Sequence, residues 1–177
     1  MQKLKILKKM KLRISIILST ILILFSCQRD EEETQVIDQV LKLYMQNSAG
    51  QDLLNPKIRG SYSTPTLLDL LGKKDLQPIS GYTFPKDADT LVYMDYPAGA
   101  IRLKIDSLSN DNEQTYYSRF IIRLPKTINE VVVNDDDTIK IEYKSTPSLF
   151  QISKLWYNDQ LKFTKVQGQP NIVRIVK

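Results

Sequence analysis

Beyond residue 36 the apolar residues recur at every second position in short runs, and this alternation restricts the chain more than any other feature of it. Ile101, Leu103 and Ile105 alternate with Arg102, Lys104 and Asp106, and Ile139, Ile141 and Tyr143 alternate with Thr138, Lys140 and Glu142. A period of two sends successive side chains to opposite faces of an extended backbone, so each run predicts a half-buried strand. Leu41, Leu43 and Met45 share one face, as do Phe120, Ile122 and Leu124 opposite Arg119 and Arg123. Asn158-Asp159 reads as a two-residue hairpin turn between strands at 149–157 and 160–165, because both residues tolerate positive φ. Asn134-Asp135-Asp136-Asp137 reads as a second hairpin tip, between 131–133 and 138–143. Weaker strands are expected at 79–84 and 90–96, and a last one at 172–176. Residues 66–71, after Ser63-Thr64-Pro65, read as a single capped helical turn.

Roughly eight to ten short strands joined by turn residues predict an all-β chain. The expected architecture is an antiparallel β-sandwich, immunoglobulin-like or related, with an up-and-down β-barrel as the alternative. The whole chain has 177 residues, and no internal repeat or composition shift divides residues 36–177, so one domain is expected there.

Composition removes several chemistries. The chain has no His and a single cysteine, Cys27. The usual general base, the commonest metal ligand, an intrachain disulfide and a thiolate zinc site are therefore all missing. Six of the 25 basic residues precede Cys27 and no acidic residue does, which leaves 19 basic against 20 acidic residues from Cys27 onward. A chain so balanced has no electrostatic footprint for a phosphate backbone, so no nucleic-acid partner is expected. The six glycines are too scattered for a phosphate-binding loop, and no cofactor is expected.

The N-terminus has its own organisation. A basic stretch is followed by the 12-residue apolar run 14–25, which closes on Ser26-Cys27. That is the layout of a signal peptide over 1–26, and it is shorter than the roughly 20 residues that span a bilayer. Leu24-Phe25-Ser26-Cys27 resembles the lipobox of bacterial lipoproteins, with Phe25 departing from the usual small residue. The resemblance implies lipidation at Cys27 and a membrane partner reached through that lipid. Gln28-Arg29-Asp30-Glu31-Glu32-Glu33 resembles the acidic lipoprotein export signal of the Bacteroidota, which implies an outer-membrane protein facing the cell exterior. Residues 27–35 then form the lipidated start and an acidic tether. The tracts 47–56 (NSAGQDLLNP), 135–143 (DDDTIKIEY) and 154–163 (KLWYNDQLKF) are similar to small β domains of Bacteroidota lipoproteins, a likeness that implies no activity.

Among candidate sites, the adjacent pairs Tyr116-Tyr117 and Trp156-Tyr157 stand out. Neighbouring residues of a strand point to opposite faces, so one ring of each pair should be outward, available to stack on a glycan or anchor a protein. Asp89-Thr90-Leu91, Asp106-Ser107-Leu108 and Asp137-Thr138-Ile139 resemble the O-glycosylation acceptor motif of exported Bacteroidota proteins, with Thr90, Ser107 and Thr138 as acceptors. The acidic cluster at 135–137, and Asp87 with Asp89, lack the alternating ligands of a calcium loop, so no metal site is expected. Asp95, Glu130 and Glu142 are the carboxylates available to a hydrolase, with Glu142 on the solvent side of its strand. The pattern points to a non-catalytic binding module; the alternatives are an accessory component of an outer-membrane uptake or assembly complex and a carboxylate-dependent hydrolase.

Overall fold

The computed structural model describes residues 34–177. Cys27 and the acidic run 28–33 lie outside the described residues. Eleven strands account for the fold: β1 (Val36–Asp38), β2 (Leu41–Gln46), β3 (Thr66–Asp69), β4 (Gln77–Pro78), β5 (Tyr93–Tyr96), β6 (Leu103–Lys104), β7 (Gln114–Ile128), β8 (Val131–Ser145), β9 (Leu149–Tyr157), β10 (Gln160–Thr164) and β11 (Asn171–Val176). The larger sheet runs β1-β9-β8-β7-β3-β4, with β10 sharing the free side of β9 with β1, and β6 sharing that of β7 with β3. The smaller sheet is β11-β2-β5. The chain is all-β and sandwich-like, and neither sheet closes into a barrel.

One apolar layer joins the two sheets. Leu41, Leu43, Met45, Met94, Val173 and Ile175 of the smaller sheet are buried with Phe120, Ile122, Leu124, Ile139, Ile141 and Leu155 of the larger. Tyr96 and Phe120 meet across the layer with ring centres 5.1 Å apart. These are the positions that the alternation assigns to inner faces, so local pattern and tertiary packing agree.

The pairing is mixed instead of purely antiparallel. β1 runs parallel to β9, and β11 runs parallel to β2. The chain changes sheets between β1 and β2, within Gln39 and Val40, and this crossing is tied down by polar groups. Asn171 Nδ2 donates to Asp38 Oδ1 at 2.8 Å and to the Val40 carbonyl at 3.1 Å, and Lys165 Nζ lies 2.5 Å from Asp38 Oδ2. Parallel pairing follows from where a long connection returns, which periodicity does not encode.

Four local expectations are corrected. The acidic run 134–137 is no hairpin tip: β8 passes straight through it, paired to β7 from Gln114↔Ser145 to Ile128↔Val131. The turn is Asn129-Glu130, both left-handed with φ of 50° and 66°, the conformation of a two-residue hairpin turn. The acids tolerate the strand because each has a partner. Asp136 accepts two bonds from Arg123, at 2.8 and 2.6 Å, while Asp135 and Asp137 meet Lys177. Residues 66–69 form a strand and no helical turn, since β3 finds a partner in Phe120–Arg123 of β7. Around 101–105 only Leu103 and Lys104 pair, at the edge of β7, and Ile101 and Leu103 stay 43% and 42% exposed. Residues 79–84 make a single bridge, Thr83 to Asp95, and no strand.

Tight packing places one glycine. Gly99 has φ of 136°, and a Cβ there would fall 2.6 Å from Ile79 Cγ2 and 2.9 Å from the Ser80 carbonyl. Backbone and neighbours both exclude a side chain.

Candidate functional site

The register of the larger sheet decides which aromatic rings face out. In β7 the residues in phase with Phe120 and Ile122 point inward, so Tyr116 packs toward the core beside Phe150 and Tyr117 points out. In β9 Tyr157 is buried and its hydroxyl donates to Asp137, so Trp156 points out. One ring of each adjacent pair is thus outward, as alternation requires.

Two neighbouring cross-strand rows build the outer face. The first is Leu103–Tyr117–Glu142–Lys154–Thr164, read across β6, β7, β8, β9 and β10. The second is Arg119–Lys140–Trp156–Leu161. Tyr117 and Trp156 therefore sit on a diagonal, with Lys140 between them. Its Nζ lies 4.8 Å from the Trp156 ring centre and 5.8 Å from that of Tyr117, while Lys154 Nζ lies 6.0 Å from Trp156. At such distances an ammonium is attracted to the ring faces and is held near them.

Glu142 is on the outward side of β8, as its position in the alternation predicts, yet it is only 6% exposed. The cause is a bulge in β9 beside Glu142 and Tyr143 that places Ser153 as an extra residue. Ser153 Oγ donates to Glu142 Oε1 at 2.9 Å, and Lys154 Nζ lies 3.6 Å from the same oxygen. Glu142 is partnered by Lys154, and Arg119 lies 3.8 Å from Asp159, so of the three cations on this face only Lys140 makes no ion pair among the described residues. Leu103 and Leu161, at 42% and 53% exposure, are its apolar margins.

The hydrolase carboxylates are not brought together: Asp95 belongs to the smaller sheet, Glu130 to the β7–β8 turn and Glu142 to this outer face. Asp87 closes its own loop, its Oδ1 accepting the Asp89 and Leu91 amides at 3.0 and 2.9 Å. Among the described residues no group of three or more acidic or sulfur ligands converges as a metal site.

Asp135 and Asp137 face the other sheet in a closed network. Lys177 Nζ reaches Asp135 Oδ2 at 2.5 Å and also Asp137, the Tyr62 hydroxyl donates to Asp135 at 2.9 Å, and Asn158 Nδ2 donates to Asp137 Oδ1 at 2.6 Å. Burial alone would raise the Asp135 pKa, but the bonds from Lys177 and Tyr62 outweigh it and hold the carboxyl below its ordinary value. Burial likewise opposes the charge on Lys177, and its two carboxylates more than restore it, so its pKa is raised. Tyr62 and Tyr157 are both pushed up, by burial first and then by the carboxylates to which they donate. Every charge has a partner, which marks a clamp between the sheets.

The three hydroxyls of the acceptor-like motifs differ in setting. Thr90 is exposed in a loop and left-handed, with φ of 66°. Ser107 is exposed in the 3₁₀ turn Asp106–Leu108. Thr138 is half-buried within β8, its hydroxyl 3.3 Å from Asn158 Oδ1.

Alternation alone marks Lys140 as outward. That it lies between Tyr117 and Trp156, and that Lys154 covers Glu142, follows from strand register, for which the sequence carries no signal. No family model, curated protein or solved structure matches the chain.

Proposed function

We propose that this chain is a lipid-anchored lipoprotein of the outer membrane, exposed to the cell exterior, whose sandwich is a non-catalytic module that binds acidic glycans on the outer face of the larger sheet. The lipobox-like Leu24–Cys27 and the acidic run Asp30–Glu33 support the location. The binding reading is carried by one observation: Tyr117 and Trp156 both face outward on adjacent rows, with Lys140 between them. A sugar ring presents axial C–H groups to an aromatic face, and carboxylate or sulfate substituents would meet Lys140, whose charge no carboxylate of the described residues offsets. Neutral glycans gain only the stacking part.

Retention on immobilised heparin and on immobilised amylose tests the binding. Wild type should be held by heparin, elute with moderate salt because exposed charges are screened, and pass through amylose. Trp156→Ala should pass through both, and equal retention of the variant on heparin would refute the site. For the location, Cys27→Ala should be recovered in soluble form. Alanines at Asp30–Glu33 should protect the protein from protease added to intact cells.

A specific observation favours a second reading, an accessory subunit of an outer-membrane complex. Beyond Pro125 of β7, whose carbonyl accepts the Ser63 amide, and Asn134 of β8, the ribbon pairs only with itself, and its end exposes Ile128, Val131, Val132 and Val133. Co-purification with a barrel protein that is lost in Val131→Lys/Val133→Lys would support that reading.

We also infer that Thr90 and Ser107 carry O-linked sugars, since both hydroxyls are exposed in loops, and that Thr138 does not. Intact mass should fall in Thr90→Ala and Ser107→Ala and be unchanged, beyond the substitution, in Thr138→Ala.

A further inference from the structure

A concave site that shares no residue with the aromatic face lies where the loop between β2 and β3 meets the segment leading into β5. It is a cavity of about 310 Å³, at the lower end of the roughly 300–1,000 Å³ usual for small-molecule sites. Leu54, Val92 and Phe84 line it with apolar surface, and Pro56 and Pro65 stiffen its walls. Leu54 and Val92 are themselves buried.

The floor is held by Asp52, which the outer-face site does not use. Asp52 is 5% exposed, and its two oxygens accept the Leu54 amide and the Val92 amide, each at 2.9 Å. One carboxylate therefore fixes two lining residues that are about forty positions apart in the chain. Phe84 is set by an edge-on contact with Tyr82, ring centres 5.8 Å apart. The cavity is thus preformed, which lowers the ordering cost of binding.

Its charge is one-sided. Lys57 and Lys86 stand in the lining, no Asp or Glu does, and neither lysine makes an ion pair among the described residues. An apolar body would fill the space over Leu54, Phe84 and Val92, and an anionic head would meet the two ammonium groups. We propose that this cavity binds small amphipathic carboxylates, either acyl chains of medium length or aryl acids. The two sources share one chemistry, an apolar body ending in a single carboxylate.

Calorimetric titration of the protein lacking residues 1–26 and Cys27 with octanoate, 3-phenylpropionate and octylamine tests this at low salt. Octanoate heat without phenylpropionate heat assigns the acyl source, and the reverse assigns the aryl source. Octylamine should give none. Lys57→Gln/Lys86→Gln should weaken carboxylate binding at least about tenfold, and Ser63→Trp, placed on the exposed lining, should abolish it. An unchanged thermal midpoint in both variants shows that the fold survives. The proposal is overturned if neither carboxylate gives heat, if octylamine binds as well, or if the variants bind as wild type. Trp156→Ala should leave this titration unaltered, so the cavity and the aromatic face stand or fall separately.

Discussion

The two outward sheet faces carry nearly the same ingredients and use them differently. On the smaller sheet Tyr44 and Tyr93 lie 5.3 Å apart, with Arg174 4.2 Å above Tyr44 and Lys42 5.1 Å above Tyr93. On the larger sheet Tyr117 and Trp156 are bridged by Lys140. Tyr44 is nevertheless 5% exposed, sealed by Arg174 and its neighbour ring, whereas Tyr117 and Trp156, like Tyr93 at the margin of the smaller sheet, are only half-buried. Aromatic rings beside cations therefore do not define a binding face by themselves. A ring covered by its own sheet contributes to folding, and a ring left open between separated strands is available to a ligand.

The largest expected effects fall on the covered side. Tyr44→Ala should lower unfolding stability by about 3 kcal/mol, as for other buried aromatic truncations, with glycan retention intact in urea titrations run below the midpoint. Loss of retention with no loss of stability would reverse the roles of the two faces. Lys177→Met attacks the clamp through which the end of β11 holds the larger sheet, and leaves the buried Asp137 without its cation. A loss of about 3 kcal/mol is expected, since removing one partner strands the other charge.

The clamp also sets the pH response. Asp135 is held below the ordinary 3.8 by Lys177 and Tyr62 against its burial, and Asp136 is held low by Arg123. A depressed carboxyl pKa gives stability that is present above the unfolded value and lost as pH falls through the folded one. Stability should therefore decline as pH drops below about 4. Lys177 is raised above 10.5 despite burial, so its contribution is present below 10.5 and lost as pH climbs past it. Urea midpoints measured from pH 2 to 11 should show both declines in wild type. In Lys177→Met the alkaline decline attributable to this lysine should be gone.

Smaller effects are expected on the open side. Trp156→Ala should cost about 1 kcal/mol of stability while weakening acidic-glycan binding at least about tenfold. Lys140→Gln should weaken it only about threefold and flatten its salt dependence, the scale of an exposed cation–ring contact. An affinity loss for Lys140→Gln larger than for Trp156→Ala would make the site electrostatic, with the rings incidental.

What the sequence discloses and what it hides separate along physical lines. The inward rows of β2, β7, β8 and β9 are readable because burial of one face imposes a period of two. Asn158-Asp159 is readable because a two-residue turn needs positive φ, and both residues have it, at 47° and 61°. Asn134 and the acids at 135–137 mislead because their composition is that of a turn, while the partners that let the acids stay in a strand, Arg123 and Lys177, come from elsewhere in the chain. The helical turn expected at 66–71 fails for the same reason: local capping residues yield to the pairing of β3 with β7. For the candidate site, alternation brings one ring of each pair outward. The diagonal of Tyr117, Lys140 and Trp156 depends on the registers of β7, β8 and β9, and the cover over Glu142 depends on a bulge at Ser153.

Trp156 is the chain's only tryptophan and lies within the proposed platform, so its fluorescence reports on that surface without a label. Its emission should be followed while heparin-derived hexasaccharide is added, with maltohexaose as the neutral control. A saturable blue shift and protection from acrylamide quenching with the acidic hexasaccharide, and neither with maltohexaose, is the predicted result. Emission that stays constant while calorimetry shows the acidic hexasaccharide binding would place the ligand elsewhere and contradict the account.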